Sequence, residues 1–225
     1  MATAAVLTTT TTKKKVATKP RFKNAVKNIL TILAHATAEE IKDGQDWYTN
    51  AKTFASEQAA IYGVSLEIVA GIISALSPAT NWERNKFEAQ QVLKGNRSFK
   101  YATYSTNVDK AFLIRNAGLH VDVASFFPSN KTYNFYHNIV NPSDKMFVTI
   151  DRHALSIANG SVREDKTVTN VEYKELAIAY TKAAKKLGLL PCEIQAISWE
   201  IWRRAKGYKA KFTVADLANV RATAN

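Results

Sequence analysis

One aspartate stands at the junction of two local patterns in the segment FVTIDRHALSIANG, which covers residues 147–160. The β-branched residues before it favour extended backbone, and the residues after it, up to the stop signal Asn159-Gly160, favour a helix. Asp151 is therefore expected at the N-cap of that helix, with its carboxylate near the positive end of the helix dipole. Two roles fit this position: a plain helix cap, or the charged group of an active site. His153, in the first turn of the same helix, is compatible with packing, hydrogen bonding or proton transfer.

The charge of the chain indicates a polyanionic partner. The 225 residues include 31 Lys and Arg against 19 Asp and Glu, which gives a formal charge of +12 and a pI near 9.7. Six basic residues between Lys13 and Lys23, and no acidic residue, precede position 25. DNA or another nucleic acid is the first partner predicted, ahead of generic solubility and of an acidic membrane surface.

Composition excludes several classes of protein. The single cysteine, Cys192, excludes an intrachain disulfide framework and any iron–sulfur or zinc site built from several cysteines. The apolar neighbours of Cys192 predict a buried side chain, and no metal or other cofactor is predicted. No long apolar run and no secretory signal is recognisable, so we expect a soluble protein of the cytoplasm with no membrane partner.

Helical periodicity predicts an all-α protein. Residues 1–20 are rich in Thr, Ala and Lys and are expected to form a disordered basic tail, followed by one helical domain over 21–212 and a C-terminal extension over 213–225. A capping box of Thr37 and Glu40 marks one helix start. Eight to ten helices and no sheet are expected. The most distinct predicted helices cover residues 22–33, 37–62, 65–76, 82–95, 107–118, 131–140, 152–158, 172–187 and 192–204.

Three segments and their order along the chain indicate a family: IISALSPATNWERNKFEAQQVL at 72–93, FFPSNKTYNFYHNI at 126–139 and FVTIDRHALSIANG at 147–160. Together they resemble the helix-hairpin-helix DNA glycosylases of the endonuclease III type. The first is similar to that family's LLSAQ helix, the second to its hairpin with a Lys-Thr pair, and the third to its VDTH segment with the catalytic aspartate. The resemblance covers roughly residues 60–205.

The resemblance implies a glycosylase-like helical domain that acts on a flipped base of DNA. Asp151 would stabilise positive charge on the sugar or activate a nucleophile, and Lys131 would match the lysine that forms a Schiff base in bifunctional members. This chain departs from the family at the hairpin, where Pro128-Ser129-Asn130 replaces the glycine-rich loop. Asn130 is the residue of that loop expected to tolerate a left-handed conformation. The iron–sulfur cysteines of the type member are also absent.

Further residues are assigned to DNA contacts by the same resemblance. A side chain from the turn after the first helix is expected to fill the gap left by the flipped base, and Trp82 is the best wedge or stacking platform. By contrast, Trp199 and Trp202 are interpreted as helix-packing residues. The other predicted DNA-binding residues are Ser77, Asn81, Ser129, Asn130, Thr132, His153, Arg203 and Arg204.

Three hypotheses for the function come before a fourth, a small-molecule enzyme on an unrelated helical fold. The leading one is an enzyme that cleaves the N-glycosidic bond of a flipped nucleobase, with Asp151 essential. The second keeps the fold and changes the reaction: a phage-type DNA hypermodification enzyme, working in the host cytoplasm, that displaces pyrophosphate from a pyrophosphorylated hydroxymethyl-thymine. The third is a non-catalytic DNA-binding protein, for which binding would depend steeply on salt and survive loss of Asp151. The sequence predicts no particular oligomeric state.

Overall fold

Helices dominate the structure, a computed structural model in which residues 21–118, 121–163 and 167–206 are described. Over these residues there are nine α-helices, one 3-10 helix and no β-strand, which confirms the all-α prediction. The predicted tail over 1–20 and the predicted extension over 213–225 lie outside the described residues. The elements are α1 (Ala25–Leu33), α2 (Ala38–Tyr62), α3 (Leu66–Leu76), α4 (Trp82–Leu93), α5 (Ser105–Arg115), the 3-10 helix (Val123–Phe126), α6 (Asn130–Val140), α7 (Arg152–Asn159), α8 (Asn170–Leu187) and α9 (Pro191–Lys206).

Capping chemistry sets the helix boundaries. The predicted capping box of α2 is present, because Thr37 Oγ1 accepts from the Glu40 backbone N–H and the Glu40 carboxylate accepts from the Thr37 backbone N–H. A second capping box, formed by Thr169 and Glu172, begins α8. That box was not predicted, and it moves the start of α8 from the expected residue 172 to Asn170.

Two clusters of buried apolar side chains divide the helices. Helices α2 to α6 enclose the first cluster around α3, in which every residue from Ile68 to Leu76 is buried. Helices α1, α7, α8 and α9 enclose the second cluster. Helix α9 belongs to both: Cys192, buried as predicted, lies in the first cluster, and Ile197 lies in the second. Helix α9 therefore packs against both clusters.

A close contact between α2 and α9 fixes the spacing of these two helices. A Cβ atom on Gly44 would lie 2.5 Å from Ile197 Cγ1 and 2.6 Å from Ile197 Cα. Real Cβ atoms do not approach backbone so closely, so only glycine fits here. As a result the next turn of α2, which carries Trp47 and Tyr48, lies directly beside α9.

Over the described ranges, no single helix is long and apolar enough to cross a membrane. The pair α2 and α3 passes the same test of length and composition only when joined across a bend of 118°.

Candidate functional site

Asp151 caps α7 as predicted. Its Oδ1 accepts hydrogen bonds from the backbone N–H groups of His153 at 2.9 Å and Ala154 at 2.8 Å. Both bonds end on the same oxygen, and the side chain stays partly exposed at the edge of a cleft. Asp151 is therefore able to cap the helix and to face the cleft at the same time. One carboxylate oxygen accepts the two helix N–H groups, and the other makes no hydrogen bond within the described residues.

Side chains of helices hold the extended segment before Asp151, and no strand in the described part of the chain pairs with it. Tyr173 Oη donates to the Val148 carbonyl at 2.7 Å and accepts from the Ile150 N–H at 3.1 Å. Burial raises the pKa of Tyr173 well above its usual value, so the phenol keeps the proton that it donates. Asn134 of α6 accepts from the Val148 N–H at 3.4 Å. The position of Asp151 is thus determined by α6 and α8 together.

The structure brings Lys131 to the same cleft as Asp151. Lys131 and Phe135 lie one turn apart in α6, so their side chains project on one face of the helix, and both line the cleft. The cleft has a volume of about 580 Å³ and lies where α2, α4, α6 and α9 meet the N-terminus of α7. Its volume falls within the range of small-molecule binding sites, roughly 300–1,000 Å³.

Aromatic rings form the walls of the cleft. The ring of Trp47 lies 5.0 Å from that of Trp82, 5.9 Å from that of Phe135 and 6.5 Å from that of Trp199, measured between centroids. Trp199, interpreted as a packing residue, contacts Trp47 between α9 and α2, and its partly exposed ring also lines the cleft. Trp202, by contrast, is buried in the second cluster as predicted. The walls offer flat apolar faces suited to a planar ligand.

Polar groups lie deeper in the cleft. Tyr48 Oη donates to Gln195 Oε1 at 2.8 Å, and burial raises the pKa of Tyr48 far above its ordinary value. Asn85 is only 2% exposed; its Nδ2 donates to the Ile73 carbonyl at 3.1 Å, while its Oδ1 accepts no hydrogen bond from the described residues. A buried amide oxygen without a donor costs free energy, about 1–3 kcal/mol. A ligand that brings a donor to this oxygen would recover that cost.

Two glutamates accompany Asp151 in the cleft, in different surroundings. Glu83 is a rim residue whose side chain is 80% exposed and pairs with Lys86 at 3.0 Å. Glu200 has a side chain that is only 22% exposed, and its Oε2 lies 3.4 Å from Arg203 Nη1. Burial is the main cause that raises the pKa of Glu200; Arg203 lowers this pKa in part, and Asp43 and Glu40 each raise it by a smaller amount.

The turn between α3 and α4 forms the mouth of the cleft. Within the described ranges Ala79 is the only residue other than glycine with a positive φ, at 64°. Asn130, expected to tolerate that conformation, is instead the first residue of α6 with helical backbone, because Ser129 takes the N-cap position. Asn81 caps α4, its Oδ1 accepting from the Arg84 N–H at 2.9 Å. The strained backbone therefore lies in the turn that contains Ser77 and precedes Trp82, and it does not lie in the predicted hairpin loop at residues 128–130.

The predicted site residues fall into two groups. Asp151 and Lys131, named as catalytic, and Ser77, Asn81, Trp82 and Arg203, named for DNA binding, all line the cleft. The predicted residues that do not line it are Ser129, Asn130, Thr132, His153 and Arg204.

Several residues of the second group have partners within the protein. The Arg204 guanidinium pairs with the Glu40 carboxylate at 2.6 Å and donates to the His35 carbonyl at 3.1 Å. His153 Nδ1 accepts from Trp202 Nε1 at 3.1 Å. Arg204 thus ties α9 to α2, and His153 ties α7 to α9, so both side chains stabilise the frame of the cleft.

Sequence reasoning missed Trp47, Tyr48, Asn85, Gln195 and Glu200 as cleft residues. A signal for the α9 members was present: Gln195, Trp199 and Arg203 recur every four residues, which places them on one helix face with Glu200 at its edge. A tryptophan flanked by a carboxylate and a guanidinium on one face is unusual for a purely packed helix. No comparable local signal marks Trp47 of α2, whose role depends on the contact at Gly44.

The described part of the chain contains no cluster of three or more His, Cys, Asp or Glu side chains that could hold a metal ion.

Comparison with known proteins gives a family without an assigned activity. No curated protein and no solved structure matches the chain. One family model does match, over residues 11–206, and these residues include every helix that the structure describes and all residues that line the cleft. The chain therefore belongs to the Family of unknown function (DUF7178).

Proposed function

We propose that this protein is a glycosylase-like enzyme of DNA, which receives a flipped nucleobase in the cleft and cleaves the bond between the base and its sugar. The observation that carries the proposal is the meeting of Asp151 and Lys131 in one aromatic-walled cleft. These residues come from two separate helices, α6 and α7, and nothing in local structure requires them to meet. A carboxylate can stabilise positive charge on the sugar, and an amine can attack the same sugar carbon. Both groups beside a space large enough for a base suit cleavage of a glycosidic bond.

The aromatic walls support a base as the ligand. The rings of Trp47 and Trp82 are in contact with their planes tilted by 47°, and Trp199 and Phe135 extend the same wall. Stacking of a base on an aromatic side chain contributes about 1–3 kcal/mol per base and tolerates any base, since every base has a π face. A base must leave the helical stack to reach such a wall, and the strained turn at Ala79 places Trp82 at the entrance.

The charge of the chain supports a nucleic acid as the carrier of that base. The formal charge of +12 favours association with phosphates, and Arg203 and Lys131 place two cations at the cleft itself. Arg203 lies with its guanidinium 4.6 Å from the centre of the Trp199 ring and is 59% exposed, so it is accessible to a phosphate.

In the proposed reaction, Asp151 acts on the sugar. As the bond from the sugar to the base lengthens, positive charge develops on the sugar, and a carboxylate oxygen of Asp151 stabilises it. The two N–H bonds to Oδ1 hold the carboxylate in place without reorganisation. Water then adds to the sugar and leaves an abasic site; attack by the Lys131 amine at the same carbon would give a Schiff base instead.

The test uses duplex oligonucleotides that carry single modified or mismatched bases, followed by alkali, which breaks the strand at abasic sites. We expect the wild-type protein to produce breaks on at least one duplex and Asp151→Asn to lose the activity by about 100-fold or more, because charge stabilisation of this kind is worth ~10²–10³ in rate. Asn retains the capping oxygen, so folding is preserved.

The matched control is Asp122→Asn, which changes another capping aspartate. Asp122 accepts from the Ala124 N–H at 3.0 Å and does not line the cleft. Full activity of Asp122→Asn together with loss in Asp151→Asn supports the proposal. Equal activity of Asp151→Asn and wild type, or no breaks on any duplex, contradicts it. Trapping with borohydride, in wild type and in Lys131→Gln, reports whether Lys131 forms the Schiff base.

A further inference from the structure

Glu200 is a second carboxyl group of the cleft, and its surroundings differ from those of Asp151. It projects from α9 beside Trp199 into the space that Asp151 borders from α7. Asp151 accepts two backbone N–H bonds, an arrangement complementary to a carboxylate. Glu200 accepts no backbone N–H among the described residues, and its single contact, with Arg203, is long at 3.4 Å.

The charges around Glu200 come from its own helix and from α2. Arg203, one turn further along α9, is directed partly away from it, over the face of Trp199. From α2, Asp43 and Glu40 are the acidic groups that act on it, and Glu40 is itself neutralised by Arg204 at 2.6 Å. Burial is the main cause: it raises the pKa of Glu200 more than Arg203 lowers it, and the two α2 carboxylates add a smaller increase.

We propose that Glu200 is the proton donor of this cleft: in its neutral form it donates a hydrogen bond to a ring nitrogen of the bound base and transfers the proton as the base leaves. The inference rests on the proposed function and names the class of substrate, a base with an acceptor nitrogen, such as N3 or N7 of a purine. Two carboxyl groups whose environments differ in this way commonly divide the roles of acid and charge stabiliser.

The step balances as follows. The bond between the sugar carbon and the base nitrogen breaks, its electron pair passes to the base, and the base takes the proton of Glu200. The sugar cation, stabilised by Asp151, adds a water molecule, which then releases a proton. That proton returns to the Glu200 carboxylate, so the net reaction consumes one water and yields a neutral base and an abasic sugar.

Binding of a free base tests the donor without any DNA. Because Trp47, Trp82 and Trp199 line the cleft, their fluorescence reports its occupancy when adenine is titrated between pH 5.5 and 8.5. We expect the affinity of the wild-type protein to fall by up to about tenfold per pH unit above the pKa of Glu200, since only the neutral form donates. Glu200→Gln, which donates at every pH, should bind with less than about twofold variation.

The control for binding is Glu57→Gln, an exposed glutamate of α2 that does not line the cleft, and it should keep the pH dependence of wild type. Thermal unfolding followed by circular dichroism confirms that each variant is folded. A Glu200→Gln protein that keeps the pH dependence of wild type overturns the inference. Absence of quenching by millimolar adenine in wild type also overturns it.

Cleavage tests the proton transfer itself. A base that is already cationic, such as 7-methylguanine, leaves without help from an acid, whereas a neutral purine needs the proton. We expect Glu200→Gln to lose about 10²–10⁴-fold on a neutral purine and less than tenfold on 7-methylguanine in the same duplex. Equal losses on both bases overturn the role as acid. Release of neither base by wild type overturns the proposed function, while the binding experiment still decides whether Glu200 is a hydrogen-bond donor.

Discussion

Ala79, in the turn at the mouth of the cleft, has a strained backbone conformation. Its φ of 64° lies in the left-handed region, which costs an L-residue about 1–2 kcal/mol relative to glycine. The turn that contains it joins a fully buried helix, α3, to the helix that begins with Trp82. Strained residues of this kind concentrate at functional sites, where the surrounding structure holds a side chain in an otherwise unfavourable position.

Replacing Ala79 by glycine should therefore stabilise the protein. We expect the free energy of unfolding to rise by about 0.5–1 kcal/mol, because relief of strain exceeds the added entropy of the unfolded chain. Chemical denaturation measures the change. Ala60→Gly is the matched control: Ala60 is also exposed but helical, so the same substitution should lower stability by about 1 kcal/mol. A loss of stability in Ala79→Gly would contradict the strained conformation.

Single residues also mark the limit of sequence-based prediction. Asp151 was predictable as a cap because its neighbours define a strand-like run and a helix within a few residues. Trp82 was found for a similar reason, at the start of a helix after a turn. Glu200 and Trp47 were not, since each gains its surroundings from a contact with a distant helix. Local sequence determines which residues start a helix; tertiary contacts determine which of its residues face a cleft.

Among the elements, the extended segment before α7 depends most on others. No strand among the described residues pairs with it; Asn134 of α6 accepts from the Val148 N–H, and Tyr173 of α8 pairs with the Val148 carbonyl and the Ile150 N–H. Backbone polar groups that are buried without partners are costly, so these side chains replace a sheet. The β-branched run predicted the extended conformation correctly, but nothing in it indicated that a tyrosine of α8 would complete its hydrogen bonds.

Tyr173→Phe should loosen this segment. Loss of the hydroxyl leaves the Val148 carbonyl and the Ile150 N–H unpaired, which should lower the free energy of unfolding by about 1–3 kcal/mol. Denaturant titration gives the value. Tyr180→Phe provides the comparison on the same helix: its hydroxyl donates to the Ala154 carbonyl, which lies inside α7, so we expect a smaller loss. Equal losses in the two variants would contradict the role of Tyr173 as the support of the segment.

For the whole molecule, the cleft depends on the distance between α2 and α9. Both helices carry residues that line the cleft, and their backbones come close to each other at Gly44 and Ile197. Arg204 and Glu40 join the same two helices by an ion pair one turn of α2 before Gly44. Periodicity and capping residues predicted the all-α class and most helix bounds. They did not predict the contact between Gly44 and Ile197, because a glycine within a helical pattern does not show which helix packs against it.

Gly44→Ala should force the two helices apart. The added Cβ meets the backbone of Ile197, which cannot rotate away, so we expect a loss of about 1–3 kcal/mol in stability and weaker quenching of the cleft tryptophans by adenine. Gly71→Ala is the control for crowding in the core, since its Cβ would meet side-chain atoms of Val123 and Ile114, and none of these residues lines the cleft. Adenine binding as tight in Gly44→Ala as in wild type would contradict the link between this contact and the cleft.

The division into two apolar clusters has a consequence for the order of assembly. The first cluster draws mainly on consecutive helices, α2 to α6, whereas the second joins α1 to α7, α8 and α9. Loops that close between near neighbours form early, and pairings between the two ends of a chain form late. As the chain leaves the ribosome, we expect the walls given by Trp82 and Phe135 to assemble first. Asp151 reaches its place only when α8 and α9 have been synthesised, so the acidic side of the cleft is the last to be completed.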